Sequence, residues 1–187
     1  MRGAVAGAAF SSIATAIELL MVISMTNLKL LPYLGPGITA MGIVAAGYGL
    51  AFALAARRSA APAKPVSGRA FEPKLAFLFA GAFAAMSLLA ALVQTLLGPA
   101  GAEAMVALGG LIDTHAATAS AGRLASSGTL ELVPAAFAAM LAITLNTLVK
   151  AATSLIFGGR PFAIRVCPSH LGMIAALWLP WYFLRQG

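Results

Sequence analysis

Apolar residues in this chain come in long unbroken runs, with neither the strict alternation of a half-buried strand nor the single stripe of a surface helix. Five runs, about 4–25, 38–56, 74–97, 134–157 and 170–186, have spanning length, since about 20 residues of helix cross the hydrocarbon of a bilayer. A sixth segment, residues 104–124, has the length of a crossing but is polar. The pattern predicts an all-α fold: a polytopic transmembrane helical bundle of five spanning helices, with a polar broken helix or sixth crossing at 104–124. The whole chain, 1–187, reads as a single integral membrane domain.

Turn signals punctuate the runs. Pro32, Gly35, Pro36 and Gly37 predict a firm break between the first two helices. The next loop, 57–74, carries Arg57, Arg58, Lys64, Arg69 and Lys74 and three prolines. By the positive-inside rule it is cytoplasmic, as then is the N-terminus. The first run is too long for the apolar part of a leader, contains Glu18 and lacks a small-residue exit, so it is expected to stay as a membrane helix. Whether 104–124 crosses or dips and returns is left open by charge. Either way eight Lys and Arg fall inside and three outside, apart from Lys150 within its helix.

A faint internal repeat accompanies this pattern. With Glu18 set opposite Lys150, residues 7–55 and 139–187 run in step: an apolar helix with one charge, a Gly/Pro loop, a second helix. The related pairs are thus 4–56 and 134–186. Six crossings would make the repeat parallel and five would make it inverted; in transporters built this way the binding site lies between the halves.

Composition removes several classes of function. Hydrophobic residues are 61% and charged residues 9% of the chain, against about 25% charge in a soluble domain. The net charge of +7 therefore points to topology and anionic lipid headgroups, not to nucleic acid. The single Cys167 excludes an internal disulfide. With His170 it is too few ligands for a zinc site, and no metal or other cofactor is expected. There is no phosphate loop, no paired catalytic carboxylates and no assembled nucleophile and base, so enzymatic activity is not expected. Trp178, Trp181 and Tyr182 read as an interfacial aromatic belt.

What remains is a short set of ionisable and hydroxylated side chains at membrane depth. Lys150 shares a helix face with Asn146 and Thr153 at i, i+4, i+7 spacing, and a polar stripe on an apolar helix faces protein or water. Glu18, on a face with Ser11 and Thr15, is the natural acid to pair with Lys150. In GGLIDTHAATASAGRLASSG (109–128) the glycines loosen the backbone and Asp113 is placed to N-cap a helix from Thr114 to about Leu124. Thr118 follows on the side of His115, and Arg123 closes the segment as an anchor or a ligand. A broken helix directs its positive end at polar ligands. Asp113, His115, Thr118, Arg123, Asn146 and Lys150 are thus the candidate polar path.

These two polar stretches resemble the C-terminal domain, of unknown function, of MgtC/SapB-type bacterial membrane proteins. Gly110, Leu111, Asp113, Ala116, Thr118, Ser120, Arg123 and Leu124 match its first motif in register, with His115 in place of a second acid and Gly122 in place of alanine. Asn146, Thr147, Lys150, Gly158 and Gly159 match the second. The resemblance is firmest over 105–160. It implies a multi-pass protein of the bacterial inner membrane associated with magnesium homeostasis, and relatives that are longer. The missing acid at 115 weakens a divalent-cation site, because hard cations want oxygen ligands. Glu18 stands where the family helix carries a basic residue. The expected function is a transporter or channel subunit for an ion or small polar solute, working in the bilayer as a homo-oligomer or beside a second membrane subunit. The alternative is a non-transporting regulator that binds another membrane complex.

Overall fold

In the computed structural model of the protein, residues 1–58 and 101–184 are described, together with positions 77, 81, 84, 85, 88 and 92. The predicted span 74–97, most of the basic loop and Arg185 lie outside the described residues. Among those described the fold is all helical. Its helices are α1 (Arg2–Thr26), α2 (Leu31–Arg57), α3 (101–109), α4 (Thr114–Ser126), α5 (Leu132–Gly158) and α6 (Arg160–Leu184). Four of them, α1, α2 with its lead-in turn, α5 and α6, are long and apolar enough to cross a membrane.

Two boundaries depart from the pattern read in sequence. The break at Pro32–Gly37 does not occur: α2 begins at Leu31 with Pro32 in its first turn, and Pro36 lies inside the helix. A proline in the first turn costs nothing, since that N–H has no helical partner. Asn27 and a single 3-10 turn, Leu28–Leu30, are the whole connection from α1. Gly37 is required by packing, because a Cβ there would meet the Leu177 carbonyl oxygen of α6. Likewise α6 starts at Arg160, ten residues before the predicted run, and continues through Pro168 and Pro180. The aromatic belt is also revised. Trp181 is 7% exposed, Trp178 Nε1 donates to Thr144 Oγ1 at 2.9 Å, and both rings pack on Phe137. Only Tyr182 of the three faces outward. The indole N–H finds its partner on a neighbouring helix instead of at the lipid headgroups.

The helices pack as two antiparallel hairpins. In the first, Gly42 and Gly49 of α2 lie against Ala16 and Phe10 of α1, and Arg2 donates to the Ala55 carbonyl at 3.1 Å. In the second, Gly158 of α5 abuts Phe162 of α6, and Trp178 bonds Thr144 as above. Helix α2 is antiparallel to α6: Gly37 meets Leu177, Gly172 meets Val44, and Tyr48 Oη donates to the Arg165 carbonyl at 2.5 Å. So α1 and α6 run one way, α2 and α5 the other, and the two hairpins have opposite sense. The core between them is built from Leu19, Ile23, Leu34, Ile38, Met140 and Ile143, all essentially buried.

The polar segment folds back on itself. A Cβ on Gly109 would sit 3.9 Å from Ala117 Cα, whereas eight residues of continuous helix span about 12 Å. Tightening hydrogen bonds, Leu111 N to Leu108 O and Ile112 N to Gly109 O, both 3.0 Å, end α3. Gly110 at the tip presses on the Ala142 backbone of α5, where a Cβ would overlap the Ala142 carbonyl. Ala142 is ten residues into α5, about 15 Å along its axis, so the tip reaches the middle of the bundle. From there α4 runs alongside α1 to its C-terminal end, where Ser126 Oγ donates to the Thr26 carbonyl at 3.2 Å.

Candidate functional site

Asp113 fixes the geometry at the tip. Its Oδ1 accepts from His115 N at 2.8 Å and Ala116 N at 3.3 Å, capping α4. Short polar acceptors do this because the first N–H groups of a helix have no partner within it. The same oxygen lies 3.3 Å from His115 Nδ1. On its other side, His115 Nε2 is 2.8 Å from Glu18 Oε2 of α1, close but not aligned as a hydrogen bond. Asp113, His115 and Glu18 thus form a line of carboxylate, imidazole and carboxylate that ties the start of α4 to α1. The arrangement is linear, and among the described residues no three His, Cys, Asp or Glu side chains are grouped to hold a metal ion.

Next to this line is a small cavity where the four long helices among the described residues meet. Its floor is Met41 of α2, Ile143 of α5 and Met173 of α6. Its polar wall is Ser12 and Thr15 from α1, Thr114 from α4, and Asn146, Thr147 and Lys150 from α5. The volume open to a water centre is ≈ 10 Å³, room for about one water-sized occupant. Lys150 Nζ donates to Thr15 Oγ1 at 3.2 Å. Ser12, Thr15 and Thr147 each give their own hydroxyl hydrogen to the carbonyl one turn back. Thr114 does not: it is 3% exposed and its Oγ1 has no hydrogen-bond partner among the described residues. A buried hydroxyl left unpaired costs about 1–3 kcal/mol.

The residues expected from sequence fall into three places. Asn146 and Lys150 line the cavity, as the shared helix face requires. Asp113 and His115 stand at its edge in the carboxylate–imidazole line. Thr118, one turn after Thr114, is fully buried, its Oγ1 has no hydrogen-bond partner among the described residues, and it does not line the cavity. Arg123 is apart from the others: it faces outward and donates to Ser120 Oγ at 3.3 Å. The expected partners Glu18 and Lys150 each take a different nearest contact. Lys150 reaches Thr15, three residues before Glu18 on the same helix, and Glu18 turns to His115. Sequence reasoning named Thr114 only as the first residue of the capped helix. It weighed His170 only with Cys167 as an incomplete zinc set; the side chain is 4% exposed with Nδ1 3.0 Å from the Val166 carbonyl.

A family model for a domain of unknown function, DUF4010, matches residues 1–158. The chain belongs to this family. No curated protein and no solved structure matches it. The DUF4010 match runs from α1 to the end of α5, so it contains every polar residue of the cavity wall; α6 adds only Met173. DUF4010 is uncharacterised, and the match carries no link to MgtC/SapB proteins in particular.

Proposed function

We propose that the protein is a transporter or channel subunit for an ion or small polar solute, with its path running through the Lys150 cavity. The observation that carries this reading is the cavity itself: a folded-back polar segment places Thr114 opposite Lys150 and Asn146, between two hairpins of opposite sense. Such broken segments between oppositely directed halves are how transporters build sites at mid-depth. An ammonium at a helix centre costs about 2.5–3.5 kcal/mol on insertion scales, and ionisable side chains facing the interior of a membrane bundle mark ion or substrate paths by default.

The same reading sets the topology. Arg2, Arg58 and Arg165 surround one cleft at one end of the bundle, which is the cytoplasmic end by positive charge. Helix α2 finishes at that end and α5 begins at the other, so the chain between them crosses an odd number of times. The run 74–97, most of it outside the described residues, is expected from its apolar length to supply one crossing, and the folded-back 101–126 none. This gives five crossings, a re-entrant polar segment, and an inverted relation between the hairpins 4–56 and 134–186. A bacterial inner-membrane location, a homo-oligomer or second membrane subunit, and kinship with the MgtC/SapB C-terminal domain belong to the same proposal.

Flux from proteoliposomes tests it. Solute or ion movement through the purified chain, lost in Lys150→Met with folding retained, supports transport. No flux, together with a co-purifying membrane complex, would replace this reading with the regulatory one.

A further inference from the structure

We infer that the cavity beside Lys150 binds a small monatomic anion of the halide class, held by Lys150 Nζ, Thr114 Oγ1 and the Asn146 amide. The inference rests on the cavity that carries the transport reading and names the charge and size of what enters it.

The argument is a count of donors against acceptors. An ammonium has three N–H donors, and among the described residues Lys150 directs one to a neutral hydroxyl, Thr15 Oγ1. Of the carboxylates at the cavity's edge, Asp113 caps α4 and touches the His115 ring. Glu18 is near enough for its charge to act on Lys150, but its close contact is with the other side of that ring. None of the described residues lining the cavity is acidic. Thr114 adds a buried O–H with no acceptor, and Asn146 adds an amide that can turn its N–H groups inward. Donors from α4 and α5 thus line one cavity beside a half-buried ammonium, whose charge is stable there only when it is answered.

Size selects within the anions. With ≈ 10 Å³ open to a centre, the cavity takes one atom of about water's size. A phosphate, sulfate or carboxylate would have to push apart the surrounding helices. A monatomic halide, moderately larger than water, asks far less movement of the surrounding helices.

The test uses the purified full chain. Thermal unfolding is followed in sodium chloride, sodium bromide and sodium gluconate at constant ionic strength, and flux is measured separately in proteoliposomes. Chloride and bromide should raise Tm saturably and gluconate should not. Thr114→Val, which keeps shape and removes one donor, should weaken the apparent chloride affinity about tenfold, and Lys150→Met should abolish the response. If Lys150→Met fails to fold, Thr114→Val decides alone. Absence of a chloride-dependent rise in the natural chain, or an unchanged affinity in Thr114→Val, overturns the inference. Sodium or potassium flux without a chloride response overturns it and leaves the transport reading standing. Chloride binding with no flux of any ion supports the site and overturns transport.

Discussion

Gly110→Ala probes the contact that places the polar segment. The Cβ it adds would overlap the carbonyl oxygen, Cα and carbonyl carbon of Ala142. All three are backbone atoms in the middle of α5, held by the helix's own hydrogen bonds, so no side chain can rotate away. Relief requires the tip or α5 to move by about an ångström, which opens the packing on both sides. Overpacking of this kind costs about 1–3 kcal/mol, occasionally more. For a chain of this size that is a fall in Tm of about 3–10 °C. Thermal unfolding in detergent would measure it against Gly7→Ala, where an added Cβ meets nothing within 4 Å and helix propensity favours alanine by about 0.5–1 kcal/mol. Because the displaced tip carries Asp113 and Thr114, any flux should fall along with stability. A Gly110→Ala protein as stable as Gly7→Ala would refute the close approach and the folded-back geometry built on it.

Other expectations follow from single contacts. In a double-mutant cycle, Glu18→Gln and His115→Gln should couple by about 0.5 kcal/mol, more strongly than Glu18→Gln with Lys150→Met; the reverse ranking would restore the direct pairing of Glu18 with Lys150. Gly122→Ala should destabilise by about 1–3 kcal/mol because its Cβ would overlap Thr26 Oγ1 and Cβ, and Thr26→Ala added to it should recover part of that loss, the Cβ contact remaining. Thermal unfolding of the two single variants and the double one checks this, and a strictly additive result would count against it. Removing the indole donor with Trp178→Phe should leave Thr144 without its partner on α6 and lower stability by about 1 kcal/mol. A rise in stability would return Trp178 to the lipid interface.

The parts of this fold that follow from local chemistry were readable in the sequence, and those that follow from packing were not. Asp113 before a run of small residues announces a capped helix, and α4 begins at Thr114 as that cap requires. The i, i+4 relation of Asn146 and Lys150 survives intact, because a helix face is fixed by its period alone. Pro36 misled for the opposite reason. Its missing N–H argues for a break, but the packing of α2 on α6, tight enough to require glycine at 37, holds the helix together. Trp178 and Trp181 look interfacial by composition and turn inward because Thr144 and Phe137 happen to face them. Thr114 is invisible as a site residue in sequence. Its interest comes from what it lacks, a partner, and only the placement of three helices reveals that.

The claim on which the site depends is that residues 101–126 enter and leave by one side of the membrane, so that their tip meets Lys150 at depth. Single cysteines in a Cys167→Ala background, labelled from either side of sealed vesicles, test it most directly. Cysteine at Arg165 should react from the same side as cysteine at Arg58, and cysteine at Ser126 from the opposite side. Labelling of Ser126 from the Arg58 side, with Arg165 reacting from the other, would mean that the segment crosses, and the cavity would have to be given up.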